Sequence, residues 1–179
     1  IVVASSAVTA SYKVASKIPT ALAFIPTCIM TYIYPYFAKN KDDGKWCFKN
    51  YKRVVMLFGV FNIISVGTLI VIAPYIIKIV FGTKYLDAVI PFRLLCLNYI
   101  IQATFSTVSG QLLVSQGRLG FNTFIGIFSS ILNTGLNLIL IPKFSSAGAA
   151  IATLTVTIIV SILSTGYLYI LLRKQSQAG

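Results

Sequence analysis

The stretch KNKDDGKWCFKNYKR, residues 39–53, is the one long hydrophilic segment of this 179-residue chain, and its reading decides how the rest is arranged. It sets Lys39, Lys41, Lys45, Lys49, Lys52 and Arg53 against Asp42 and Asp43. The uncharged runs on either side exceed the about 20 residues that a helix needs to cross the apolar core of a bilayer. Short loops rich in lysine and arginine stay on the cytoplasmic side, so this loop assigns a side to every other loop.

Composition points the same way. The chain is 57% hydrophobic and 10% charged, with a mean hydropathy of +0.87, whereas a soluble domain carries about 25% charged residues. The fold class expected is all-α, a polytopic transmembrane bundle of about five membrane-spanning helices. A net charge of +12 would suggest nucleic acid in a soluble protein. Here the basic residues sit mainly at the ends of apolar runs, so no nucleic-acid partner is expected. Cys28, Cys47 and Cys96 are odd in number and far apart, and read as free thiols.

The spans expected are about 14–38, 54–78, 88–116, 121–142 and 146–172, within a single transmembrane domain over 1–179. Pro19, Pro26 and Pro35 punctuate the first span, and Pro26 is placed to kink it. Asp87, just before the third span, is placed to favour a helix N-terminus. Arg118, Arg173 and Lys174 fall on the side of the opening loop, while Lys13, Lys17, Lys78, Lys84, Arg93 and Lys143 fall at or near the outer ends. In the fifth span Ser145, Ala149 and Thr153, or Gly148 and Ala152, recur at the four-residue spacing that lets two membrane helices approach closely. The chain opens on Ile1, with no basic leader before its first apolar residues. It is also short for a transporter built of two repeated halves, so further helices are expected upstream.

Two polar stripes stand out. At 3.6 residues per turn Asn98, Gln102, Ser106 and Ser109 share one face of the third span. Asn122, Gly126, Ser129, Asn133 and Asn137 form a second stripe on the fourth. Either stripe can serve interhelical hydrogen bonding or form one wall of a polar cavity. Lys13 and Lys17 lie one turn apart on one face; with Arg93 they either snorkel to the outer interface or face a cavity where they could hold an anionic headgroup.

Catalytic chemistry has little to work with. There is no histidine and no glutamate, and the carboxylates are Asp42, Asp43 and Asp87. Adjacent Asp42 and Asp43 in a lysine-rich loop read as a solvated turn rather than an acid-base or metal-binding pair. No Gly-rich phosphate loop or Cys/His metal spacing occurs. No catalytic residue, metal or cofactor is therefore expected, and the chain is not read as an enzyme.

ASYKVASKI followed by YPYFAK, then IVFGTKYLDAV, then LNLILIPKFSSAGAAIATL, resemble the C-terminal half of the polysaccharide flippases (O-antigen or capsule type) of the multidrug/oligosaccharidyl-lipid/polysaccharide exporter superfamily. The turn around Phe81, Gly82 and Tyr85 carries part of the likeness, and the run from Ile141, Pro142 and Phe144 to Gly148, Ala149, Ala150, Ala152 and Thr153 carries the rest. Ser145 departs from the pattern, which usually has glycine there. The resemblance implies a two-lobe, twelve-helix transporter of which this chain would be the last five helices. It would move a polyprenyl-pyrophosphate-linked oligosaccharide across the cytoplasmic (inner) cell membrane by alternating access. The implied partners are the bilayer, the lipid-linked oligosaccharide and other membrane proteins of polysaccharide assembly. The substrate-path residues it favours are Lys13, Lys17, Arg93, Asn98, Gln102 and Asn133. A drug or metabolite antiporter of the same fold, or an integral-membrane glycan polymerase or ligase, are the other readings the residues allow.

Overall fold

The computed structural model describes residues 6–178, and among them every regular element is helical. α1 (Ser6–Leu22) and α2 (Phe24–Lys39) form one rod that breaks at Ala23. The bend expected at Pro26 accounts for the break: proline has no N–H for the carbonyl four residues back, here Leu22, and its ring crowds that carbonyl. Inside a bilayer such a group must find another donor. The Tyr99 hydroxyl supplies it, donating to the Leu22 carbonyl at 3.1 Å.

Asp43 starts α3 (Gly44–Val71): its side chain accepts the Trp46 N–H at 2.9 Å, the role of an N-cap. The acidic pair of the loop is thus more than a solvated turn. α3 stops at Ile72, and α4 (Ala73–Phe81) follows with Pro74 in its first turn. Pro74 cannot serve the carbonyl of Ile70, and Arg93 Nε donates to that oxygen at 3.1 Å. Gly82, at φ 90°, ends α4 in a conformation that side-chain-bearing residues rarely adopt. A 3-10 turn, Thr83–Ala88, follows. Asp87 lies at the end of this turn, but its carboxylate accepts from the Ser11 hydroxyl at 2.5 Å, and the N-cap of the next helix, Ala88, has no side-chain cap.

α5 (Val89–Ile101), a π-helical turn (Gln102–Ser106) and α6 (Thr107–Ser115) make a further rod. The Thr107 N–H bonds the Gln102 carbonyl, the five-residue step of a π turn. Beyond Gln116 the chain turns through Gly117 into α7 (Leu119–Ala178).

A helix of 60 residues would be roughly 90 Å long if straight, three times a bilayer core. It is not straight. Ser145 has φ 52° and ψ −130°, and the two arms fold back on each other. Phe121 on the first arm stacks on Tyr167 of the second with ring centroids 4.1 Å apart, and a β-carbon at Gly148 would run into the carbonyl of Leu140. The four stretches long and apolar enough to cross a membrane, Val8–Lys39, Gly44–Val71, Thr83–Ser115 and Leu119–Gln177, therefore make five rods. Of the two small-residue spacings expected, Gly148 makes a close approach, to Leu140 where the chain reverses, whereas Ser145 is the break itself and Ala149 and Thr153 line a cavity.

The ends of the bundle sort the loops. Gly44 abuts the backbone of Gln175 and Ser176, and Gln116 joins the same corner by donating to the Cys47 sulfur at 3.7 Å and accepting from Gln175 at 3.3 Å. Loop 40–43, the turn at Gly117 and the end of α7 thus share one end. The core is built in two clusters of buried side chains, one including Met30, Phe37, Leu112 and Leu168 near that end, the other including Ala15, Ile77, Phe92 and Tyr99.

Candidate functional site: a polar crevice

A polar side chain on a membrane helix must meet protein or water. Some meet protein: Tyr51 and Ser109 hydroxyls lie 3.2 Å apart, Ser109 and Thr165 hydroxyls 3.1 Å apart, and Asn62 Nδ2 donates to Thr104 Oγ1 at 3.3 Å. These bonds stitch α3 to α6, α6 to α7, and α3 to the π turn.

Others gather around an open crevice between α1, the α5–π rod and both arms of α7. It consists of three adjoining cavities of about 290, 300 and 300 Å³ that all share Thr153. From α1 come Tyr12, Ser16 and Thr20; from α5 and the π turn come Asn98, Gln102 and Ser106. The first arm of α7 adds Ser129, Ser130, Asn133 and Asn137, and the second adds Thr153 and Thr157. The Tyr12 and Thr153 hydroxyls, 3.5 Å apart, bridge α1 to α7 across it. Among the described residues no charged side chain lines any of the three cavities.

Asn98 sits at the junction of two of the cavities. It is only 8% exposed and its Oδ1 has no hydrogen-bond partner. Asn133 Oδ1 accepts from Asn137 Nδ2 at 2.6 Å, and Asn137 Oδ1 has no partner. A buried unpaired acceptor costs about 1–3 kcal/mol; both oxygens are enclosed by protein, so a hydroxyl or N–H in the crevice reaches them only when the amide turns outward.

Of the six candidate residues, the structure brings Asn98, Gln102 and Asn133 together. Lys13 and Lys17 are exposed on α1 and do not line the cavities. Helical spacing puts them about 100° and 140° around the axis from Tyr12, against about 80° for the lining residue Thr20, so they form the crevice's exposed shoulder. Arg93 is exposed but engaged with Ile70, away from the crevice. Ser109, expected on the face of Asn98, is turned inward to Tyr51 and Thr165. The π turn explains this, since one extra residue in a turn rotates everything beyond it by roughly one 100° step. The sequence reading missed Tyr12 and Thr153. Thr153 was visible only as part of a small-residue spacing, and a lone tyrosine on α1 gave no signal.

The three cysteines are free, and among the described residues no group of three or more His, Cys, Asp or Glu side chains could hold a metal ion.

Helices of this length and apolarity around a neutral polar crevice define a multi-pass, all-α membrane protein. Residues 2–90 match the family described as "Polysaccharide biosynthesis protein". The match covers just under half of the chain, from its first residues through the turn at Phe81, Gly82 and Tyr85. It is 26% identical over 154 residues to the lipopolysaccharide biosynthesis protein WzxC of Escherichia coli, a match covering 86% of this chain and 30% of the relative. It is 32% identical over 136 residues to the uncharacterized membrane protein MJ1068 of Methanocaldococcus jannaschii, covering 71% and 26% respectively. The chain thus spans less than a third of the length of either relative. No solved structure matches it significantly.

Proposed function

We propose that the protein is a flippase that carries a polyprenyl-pyrophosphate-linked oligosaccharide across the cell membrane during surface polysaccharide biosynthesis, without catalysing a covalent step. In this reading the five rods are five membrane crossings of one lobe, and the crevice is that lobe's wall of the translocation path. The observation that carries it is the band of uncharged amides and hydroxyls on otherwise apolar helices, which includes Asn98, Gln102 and Asn133 around one cavity. Such groups exchange hydrogen bonds with sugar hydroxyls one for one and bury no charge in doing so. Lys13 and Lys17, on the shoulder, are the cations within reach of a pyrophosphate following the glycan, where charge-assisted bonds are roughly twice as strong as neutral ones. Arg93 enters as a positioning residue that holds the α3–α4 break. The match of residues 2–90 to a polysaccharide biosynthesis family and the likeness to WzxC support the substrate class.

The test is export of surface polysaccharide by cells whose sole flippase carries Asn98→Leu and Gln102→Leu. The double variant is expected to export at least tenfold less at an unchanged protein level, with Asn98→Gln intermediate. Normal export from the double variant would overturn the reading.

A further inference from the structure

A second groove lies on the outer surface of the bundle, between α2 and α3, with a volume of about 250 Å³. Eight of its nine lining residues are apolar, among them Ile29 and Ile33 on α2 and Leu57 and Phe61 on α3. The ninth, Asn62, is 1% exposed and turns its amide inward to Thr104. Near loop 40–43 the two helices are drawn together by Phe37 and Trp46, whose rings meet edge to face at 5.2 Å. The groove opens above that contact.

Its depth and its rim identify an occupant. The uncharged part of α3, residues 54–71, is roughly 27 Å long, close to the about 30 Å of a bilayer core, so the apolar layer begins at Arg53. The groove starts at Ile33 and Val54, next to that boundary, and runs along residues 25–33 of α2 for roughly 12 Å. That is about one leaflet's hydrocarbon. Its rim at the boundary is basic and aromatic. Arg53 is exposed on α3, and Lys39 lies one turn below Tyr36 on α2. Tyr32 and Tyr36 are exposed with their hydroxyls 3.2 Å apart. No carboxylate lies on the rim itself; Asp42 and Asp43 are in the loop beyond it.

We infer that this groove binds one acyl chain of an anionic phospholipid, with the lipid phosphate held at the rim by Arg53 and Lys39 and hydrogen-bonded by the two tyrosines. An apolar slot one leaflet deep selects a chain. Basic groups at the level of the headgroups select negative charge, and clusters of such groups beside membrane helices bind anionic lipid. The site is separate from the polar crevice and does not depend on what the crevice carries.

Tryptophan quenching by brominated lipids tests it on the purified protein in bilayers. Trp46 is the only tryptophan in the sequence, so a Trp46→Phe, Leu57→Trp variant reports on the groove, and Trp46→Phe, Ile63→Trp reports on the opposite, lipid-exposed face of α3. In bilayers mixing phosphatidylcholine with phosphatidylglycerol, brominated on one lipid at a time, the groove reporter should prefer the anionic lipid by about thirtyfold, as the attraction of two basic residues implies. The Ile63 reporter should show no preference. Adding Arg53→Gln and Lys39→Gln should bring the groove preference to about one while quenching persists. Equal quenching by both lipids in the unaltered rim would overturn the proposal by removing the headgroup selection. Absence of quenching by either would overturn it by showing that protein, from a second copy or another segment, covers the groove.

Discussion

Arg93 Nε donates to the carbonyl of Ile70 at 3.1 Å, and that carbonyl is the one Pro74 leaves without an N–H. Six residues further along the same helix, Tyr99 does the same for Leu22 at 3.1 Å, the carbonyl that Pro26 abandons. α5 thus seals two proline breaks in the rods on either side of it. In lipid this matters more than in water, because no solvent can take over a bare carbonyl.

The seals should be worth measurable stability. Tyr99→Phe is expected to cost about 1–3 kcal/mol, the range for leaving a buried acceptor unpaired, and Arg93→Ala a smaller but measurable amount, because its bond to Ile70 is exposed. Arg93→Lys should recover part of the loss, since lysine keeps a donor and the charge but not the planar fork. Thermal unfolding of the purified variants in detergent measures this. If Arg93 merely snorkels, Arg93→Ala will melt with the unaltered protein.

Ser145 holds a backbone conformation, φ 52° and ψ −130°, that costs a side-chain-bearing residue roughly 1–3 kcal/mol and glycine far less. Ser145→Gly should therefore raise the melting temperature. Gly148→Leu should do the opposite and lower the amount of folded protein in the membrane, because its side chain would meet Leu140's carbonyl. Leu163→Phe, at an exposed position, should leave that amount unchanged. Equal accumulation of the Gly148 and Leu163 variants would refute the tight reversal.

Sidedness follows from the loop charges. In a background lacking Cys28, Cys47 and Cys96, a cysteine replacing Asp43 is expected to resist an impermeant thiol reagent in intact cells, while one replacing Lys84 is labelled. Labelling at position 43 would reverse every side assigned from that loop.

Lys13 and Lys17 separate transport from folding. The double change Lys13→Gln, Lys17→Gln keeps length and hydrogen bonding and removes two charges, so polysaccharide export should fall at least several-fold while protein level and melting temperature hold. Unchanged export would make both residues interfacial anchors.

The helical class and the positions of the turns are legible in the residues. Long uncharged runs have no stable place but a bilayer, and their ends are marked by Lys39, Arg53, Gly82, Arg118 and Pro142. Six polar residues of the crevice, Asn98, Gln102, Ser106, Ser129, Asn133 and Asn137, were also legible, because a stripe of amides and hydroxyls at helical spacing cannot face lipid. What only the tertiary structure decided is which of these groups meet. Ser109 left the crevice through one extra residue in the π turn, a change that periodicity reasoning at 3.6 residues per turn cannot register. Arg93 and Tyr99 acquired their partners from Pro74 and Pro26, residues 19 and 73 positions away in the chain, and Tyr12 joined Thr153 across 141 positions. Hydrophobic length is a property of each segment alone and so can be read along the chain. A hydrogen bond between helices depends on their relative rotation and depth, which packing sets.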